Sequence, residues 1–246
     1  VWNGRKLGSR TELEAKGAAV SSVSLSADGT RALAGGYDLR LRLWDVENKK
    51  CLWTSDEQPD VIEAVVLSAD ASFGVSTSPG LLSDSDKQLG KWDFPKGELG
   101  HTFGGYSHHP TAIALTADDS LLAAGDMEGG VQIFQAQDGK KIQQYSLHKD
   151  PISTVAFSLD GQFLFSGDEQ GRGILWDLDK KKMVWLENSH PGQLVGARFD
   201  ALGETLFTAA RDGMVRTWKV GNGMRNEHFP MSDQRLICIA ASADGR

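Results

Sequence analysis

Residues 39–50, LRLRLWDVENKK, alternate apolar and basic side chains up to Trp44 and then become polar. Such alternation is typical of a β-strand with one buried face, and a polar cluster after it indicates a turn. An aromatic residue ends a similar short strand at regular spacing along the chain, with four steps of 42 residues and one of 48. These aromatic marks are Trp2, Trp44, Trp92, Phe134, Trp176 and Trp218. A fixed period of this length is the signature of a repeat protein.

Each repeat is predicted to contain four short strands, named a to d in chain order. In the first complete repeat, strands a and b are SSVSLS and RALAGG, and strands c and d are RLRLW and CLWTS. Turn-forming pairs stand between strands, as at Asp28 and Gly29 or at Asp138 and Gly139. A unit of about 40 to 45 residues with four strands cannot bury both of its faces alone, so such units pack around a common axis. We therefore expect an all-β fold, a β-propeller with five complete four-stranded repeats and a partial repeat at each end.

In these motifs the chain resembles the WD40 (WD-repeat) β-propeller family over its whole length. The strand c endings LRLWDVE, LGKWDFP and GILWDLD are similar to those of the family, and residues 147–179 match nearly a whole repeat. The family's Trp-Asp pair is replaced by Trp-Asn at Trp2, Phe-Gln at Phe134 and Trp-Lys at Trp218. The resemblance implies a protein-interaction scaffold.

Residues 1–246 are expected to form a single WD40 β-propeller domain. About six blades are recognisable, the last of them incomplete, so we expect either association at its open edge or, in the intact protein, at least one further blade. An incomplete blade leaves a strand edge unpaired, which favours association with another chain. The chain begins with Val1 rather than Met, and we expect its native N-terminus to be absent.

The resemblance also implies a buried hydrogen-bond network in each blade. It links a His in the d-to-a loop, a Ser or Thr in strand b, an Asp in the b-to-c turn and the strand c Trp. In the last complete repeat these positions are His190, Thr208, Asp212 and Trp218. The repeat before it has His148, Ser166 and Trp176, with Gln170 where Asp is expected. The first complete repeat has only Asp38 and Trp44, with Lys16 and Ala34 at the other two positions.

Charge and composition exclude several classes of partner. The net charge is -7, from 26 Lys and Arg against 33 Asp and Glu, whereas nucleic acid and anionic membranes are bound by clustered Lys and Arg. No apolar run is long enough to span a bilayer. The two cysteines, Cys51 and Cys238, fall on different strands of different repeats, so we expect no disulfide between them. We expect an intracellular, cytoplasmic protein that has no nucleic-acid or membrane partner.

Sequence motifs for catalysis or metal binding are absent. The grouping of His190, Thr208 and Asp212 superficially resembles a hydrolytic triad, but the chain lacks a G-x-S-x-G nucleophile elbow. His101, His108 and His109 crowd one stretch, yet adjacent histidines on an extended chain point to opposite sides, which is poor geometry for one ion. We expect no catalytic residue, no cofactor and no metal ligand. The alternative is a propeller enzyme of the hydrolase or lactonase type with a metal at the channel mouth.

Partner binding is expected at the end of the blades that carries the b-to-c and d-to-a loops. The 48-residue step places six extra residues between strands b and c of the second complete repeat, within TSPGLLSDSDK, residues 77–87. Acidic residues are in surplus at this end, which favours a basic protein or peptide. The residues predicted to bind are Tyr37, Leu81, Leu82, Asp84, Tyr106, Asp126, Glu128, Asp168 and Glu169. A surface insertion without a partner is the alternative for the extra residues.

Trp53 and Trp185 occupy equivalent positions in two outer strands. They would either anchor a lateral partner or pack against the neighbouring strand.

Overall fold

A computed structural model describes residues 19–79, 87–106 and 108–230, together with the single residues 13 and 236. All regular structure in these residues is β-strand, arranged as five four-stranded antiparallel sheets. Each sheet is a simple meander in which strands consecutive in sequence are hydrogen-bonded neighbours. The expectation of an all-β fold built from WD40-type four-stranded repeats is therefore confirmed. We call the five sheets blades 1 to 5.

The strands follow one another in chain order. Blades 1 and 2 contain β1 (Val20–Leu25), β2 (Arg31–Gly36), β3 (Arg42–Asp45), β4 (Lys50–Thr54), β5 (Val65–Leu67), β6 (Phe73–Pro79), β7 (Lys87–Asp93) and β8 (Glu98–Phe103). Blade 3 contains β9 (Pro110–Leu115), β10 (Leu121–Asp126), β11 (Val131–Gln135) and β12 (Lys141–Tyr145). Blades 4 and 5 contain β13 (Ile152–Phe157), β14 (Phe163–Asp168), β15 (Arg172–Asp177), β16 (Lys182–Asn188), β17 (Leu194–Phe199), β18 (Thr205–Ala210), β19 (Met214–Lys219) and β20 (Arg225–Pro230).

The chain divides into two compact units, Val1–Thr102 with Arg246, and Phe103–Gly245. Strands β1 to β7 lie in the first unit and β9 to β20 in the second, while β8 ends at the boundary. The single-domain expectation stays a prediction. Several sequence predictions fall outside the described residues: those for Trp2, Leu81, Leu82, Asp84, Cys238 and most of the incomplete last repeat.

Apolar cores form where consecutive blades meet within a unit. In the second unit, Ala123 and Ile133 of blade 3 pack with Ile152, Val155 and Trp176 of blade 4. A similar cluster joins blades 4 and 5, and in the first unit a cluster joins blades 1 and 2. A buried aliphatic side chain contributes roughly 1.5 to 3 kcal/mol, so these inter-blade layers dominate the stability of the blades.

The aromatic residues that mark the repeats belong to these cores. Each of the five described marks is buried: Trp44, Trp92, Phe134, Trp176 and Trp218. Trp53 lies 5.7 Å from Trp92 between ring centroids, and Trp185 lies 6.2 Å from Trp218. Trp185 is itself buried and donates its indole N–H to the Val220 carbonyl. Trp53 and Trp185 thus pack against the following blade, which is the second of the two interpretations.

The six extra residues of blade 2 lengthen its b-to-c hairpin. Backbone pairing between β6 and β7 continues as far as Pro79 and Lys87, so both strands have seven residues.

Candidate functional site

The predicted network of blade 5 is assembled in the structure. The indole of Trp218 donates to Thr208 Oγ1 at 2.8 Å, and Thr208 Oγ1 lies 2.9 Å from His190 Nε2. His190 Nδ1 lies 3.1 Å from both carboxylate oxygens of Asp212. Arg216 contacts His190 and forms an ion pair with Asp212 at 2.6 Å. The set connects the strand c aromatic residue to the b-to-c turn.

Blade 4 contains a complete network as well, which corrects the sequence prediction for that blade. Its acid is Asp168, not a residue at position 170: Asp168 Oδ2 lies 2.8 Å from His148 Nδ1. His148 Nε2 lies 2.8 Å from Ser166 Oγ, which accepts the indole N–H of Trp176. Asp168 also accepts the backbone N–H groups of residues 170 and 172. The carboxylate at the end of strand b can therefore serve the same partner as one placed later in the turn.

Hydrogen-bond capacities are satisfied by the following set of proton positions in blade 4. Because Ser166 accepts from Trp176, its single proton is available for His148 Nε2. The other ring nitrogen then carries the proton and donates to Asp168. The Ser166 hydroxyl is fully buried, with the Trp176 indole and the His148 ring as its partners.

The pKa values in these networks follow from burial and hydrogen bonding. Burial, with the Arg216 charge as the second cause, lowers the pKa of His190 to about 4. For Asp168, burial alone raises the pKa, but hydrogen bonds from His148 and from the Arg172 amide outweigh it, so the pKa is lowered. The same balance lowers the pKa of Asp212, where Arg216 is the main donor. At neutral pH, His190 is thus neutral and faces an ionised Asp212.

Burial removes three residues from the predicted binding surface. Tyr106, Asp126 and Asp168 are all buried, so their side chains do not form an exposed contact area. The acidic surplus inferred for this end shrinks accordingly, because two of its carboxylates carry no surface charge. Glu128 and Glu169 are exposed as predicted, and Tyr37 is 64% exposed.

Two apolar residues that the sequence prediction missed stand exposed at the loop end of the second unit. Met127 and Leu147 are each 48% exposed. Met127 follows strand b of blade 3, and its backbone N–H donates to the His109 carbonyl. The equivalent amides of Tyr37, Glu169 and Arg211 make the same bond to the residue before strand a. Register along the repeats would have identified Met127, because it occupies the same phase as Tyr37.

The loops at this end of the second unit are in direct contact. A Cβ at Gly129 would lie 2.6 Å from the carbonyl oxygen of His148, so the b-to-c turn of blade 3 packs closely on the following d-to-a loop. The next turn repeats the arrangement, since a Cβ at Gly171 would lie 2.0 Å from the His190 carbonyl oxygen. Both glycines have positive φ, of 82° and 83°, which L side chains rarely adopt. The turns and loops therefore form a continuous surface.

Comparison with known proteins bears on these repeats. The family model described as "WD domain, G-beta repeat" matches residues 8–45 and 139–177, and the second segment contains the whole network of blade 4. Protein groucho of Drosophila melanogaster is 22% identical over 229 residues, which are 92% of this chain. The chain spans 30% of the length of that relative. These two matches and this similarity support WD40 repeats in the chain. The comparisons support a protein-interaction scaffold in general.

Blade 3 lacks the hydrogen-bond network that is present in blades 4 and 5. Tyr106 stands at the position of the histidine, Ala124 at that of the Ser or Thr, and Phe134 at that of the Trp. The rings of Tyr106 and Phe134 lie 5.6 Å apart, so aromatic packing replaces the hydrogen bonds. Asp126 accepts the backbone N–H groups of residues 128 and 130, and burial raises its pKa.

Among the described residues, no group of three or more His, Cys, Asp or Glu side chains could hold a metal ion. No helix in the described part of the chain is long and apolar enough to cross a membrane.

Proposed function

We propose that the chain is a non-catalytic interaction platform that binds a protein or peptide at its b-to-c and d-to-a loops. The observation that carries this proposal is the pair of exposed residues Met127 and Leu147 on a surface of contacting loops. Exposed apolar side chains on rigidly held loops are typical of binding surfaces. The buried networks of blades 4 and 5 hold the loops at this end in place before a partner binds. This order lowers the entropic cost of association.

The partner is proposed to bring an apolar side chain to Met127 and Leu147. Basic groups would contact Glu128 and Glu169 at the rim, where charge pairs affect encounter and specificity more than affinity. The exposed Lys149 and Arg211 at the same end limit this electrostatic contribution. Apolar contact therefore supplies most of the binding free energy in this proposal. We propose that Tyr37 contacts the partner in the first unit, as Met127 does in the second.

Point substitutions test the location of the binding surface. Met127→Asp and Leu147→Asp each place a charge where the proposal requires desolvation, and we expect each to weaken binding at least tenfold. Ile142→Asp is the matched control, because Ile142 is 46% exposed but lies in an outer strand. Quantitative mass spectrometry of proteins captured by wild type and variants identifies the affected partner, and calorimetry with that partner gives the affinities. A partner lost with Ile142→Asp and retained with the other two variants contradicts the proposal.

A further inference from the structure

The a-to-b turns, at the opposite end of the strands, share one capping arrangement in blades 1 to 4. A Ser or Thr ends strand a and donates its hydroxyl to an Asp two residues later, at 2.5 to 3.0 Å. That Asp accepts the backbone N–H two residues further on, at 2.8 to 3.1 Å. The hydroxyl oxygen in turn accepts the first N–H of strand b. The capping pairs are Ser26 with Asp28, Ser68 with Asp70, Thr116 with Asp118, and Ser158 with Asp160.

Blade 5 reaches the same turn with one side chain instead of two. Asp200 stands at the hydroxyl position, and its Oδ1 accepts the backbone N–H groups of Glu204 at 2.9 Å and Thr205 at 3.2 Å. Because Asp200 caps the turn alone, the residue two positions later is not needed as a cap. That residue is Leu202, where the other four blades have Asp, and it is 78% exposed. Leucine there serves neither the turn nor the core.

A second exposed leucine lies beside it in the neighbouring blade. Leu159 of blade 4 is 56% exposed and occupies a position that is alanine in the other four blades. Leu159 and Leu202 line a shallow surface cavity together with Asp160, Ala201 and Gly203. Single exposed leucines are ordinary on protein surfaces, but two that flank one concavity form a place for an apolar side chain.

The two turns that line this cavity carry negative charge. Asp160 is exposed, and both of its turn hydrogen bonds use Oδ1, so Oδ2 accepts nothing from the described residues. Glu204 adds a second exposed carboxylate at the edge of the neighbouring turn. Neither turn, 158–163 or 200–205, contains Lys or Arg. A cation beside the apolar side chain of a partner would find carboxylates that no basic residue of these turns neutralises.

We propose that the a-to-b turns of blades 4 and 5 form a second binding site, for a peptide segment that presents an apolar side chain next to Lys or Arg. The apolar side chain would lie between Leu159 and Leu202, and the cation would contact Asp160. The site goes beyond the function proposed above, since it lies at the other end of the strands from Met127 and Leu147.

The chain itself suggests a matched variant. The double substitution Asp200→Ser with Leu202→Asp converts residues 200–203 from DALG to SADG, the sequence of residues 26–29 in blade 1. Because this turn already folds in the same protein, the variant is expected to keep its structure. Leu159→Ala similarly introduces the residue found at this position in the other blades. Asp160→Asn keeps Oδ1 as an acceptor and removes the charge.

The probe is a phage-displayed library of random twelve-residue peptides, selected on the wild-type chain and counter-selected on the double variant. We expect enrichment of peptides that combine an apolar residue with an adjacent Lys or Arg. Fluorescence polarisation with a synthetic enriched peptide should show binding weakened about tenfold by the double variant and several-fold by Leu159→Ala. Asp160→Asn should weaken binding and reduce its salt dependence.

Three outcomes overturn the proposal. The first is that no peptide distinguishes the wild-type chain from the double variant. The second is that the enriched peptides lack basic residues. The third is that Asp160→Asn leaves affinity and salt dependence unchanged. Met127→Asp separates this site from the loop end: peptide binding that survives this variant and is lost in the double variant supports the second site, whereas the reverse pattern contradicts it.

Discussion

At the scale of single residues, the stability of blades 4 and 5 depends on buried histidines held between a hydroxyl and a carboxylate. The His190 and His148 side chains are fully buried, so neither ring can exchange its partners for water. Removing one partner leaves a buried polar atom without a hydrogen bond, which costs about 1 to 3 kcal/mol. The same geometry that resembles a hydrolytic triad on paper thus serves to order the b-to-c turns.

A double-mutant cycle tests the coupling within blade 5. His190→Ala and Asp212→Ala should each reduce the free energy of unfolding, but the double variant should lose less than the sum, with a coupling of about 1 kcal/mol. The reason is that each single variant leaves the other side chain without its partner. Urea denaturation of the four proteins measures the free energies of unfolding. Strict additivity would show that the two residues act independently.

The lowered pKa of His190 predicts a loss of stability in acid. Its pKa is about 4 in the folded chain against an ordinary value of 6.5, so the unfolded state binds more protons between these pH values. The contribution is complete above pH 6.5 and is lost as the pH falls towards 4, by on the order of 3 kcal/mol at most. His190→Gln should flatten the dependence of unfolding free energy on pH in this range. His228→Gln, at an exposed position of β20, is the control and should leave the dependence unchanged.

At the scale of elements, close contact between blades depends on glycine in strand b. A Cβ at Gly167 would lie 2.5 Å from Leu194 Cδ1 of blade 5, and one at Gly125 would lie 2.2 Å from Ile152 Cγ2 of blade 4. Neither glycine has positive φ, so the requirement is for space rather than for backbone conformation. In blades 4 and 5, the first apolar residue of strand a therefore packs directly on the backbone of the preceding blade.

Overpacking at this contact is expected to destabilise the chain. Gly167→Ala should lower the free energy of unfolding by about 1 to 3 kcal/mol, because the new methyl group forces Leu194 out of its position. In a Leu194→Ala background the same substitution should cost clearly less, since the obstructing Cδ1 is gone. Thermal or urea unfolding of the four proteins provides the comparison. An equal cost in both backgrounds would contradict steric conflict as the cause.

At the scale of the whole molecule, blade 1 leaves one face of its strand a uncovered by any described residue. Val20, Val23 and Leu25 of β1 are each about half exposed, whereas the equivalent Ile152 and Val155 of blade 4 are buried against blade 3. Hydrogen bonds from Val65 and Leu67 to Ser22 and Ser24 direct the alternate side chains of β1 to blade 2. Strand alternation then turns Val23 and Leu25 to the other face.

Association through this face is the corresponding prediction. An exposed row of apolar residues on a strand favours packing against another sheet. We expect sedimentation velocity to show concentration-dependent association of the chain, and Val23→Asp with Leu25→Asp to reduce it. The matched control is Leu52→Asp, on the exposed outer strand β4. Val66→Asp would be unsuitable as a control, because β5 is partly buried. A wild-type chain that stays monomeric at all concentrations contradicts the prediction.

The sequence by itself determined the strands and their grouping into blades. Alternation of period two and a spacing of 42 residues are local and repeated properties, so they survive without knowledge of tertiary contacts. They also located the network of blade 5, because its four residues match the pattern of the repeat in position. What they could not determine was which polar residues of the loops are buried.

Only the tertiary structure showed that Asp168, and not Gln170, faces the histidine of the blade 4 network. It alone also showed that Tyr106 and Asp126 are buried. The partner of Asp168 is His148, twenty residues earlier in the chain and across a blade boundary, and a carboxylate at either of two turn positions can reach it. Burial of a side chain depends on what the neighbouring blade places over it, which no single strand encodes. Exposure of Met127 and Leu202 was decided in the same way, because both follow from what their neighbours leave uncovered.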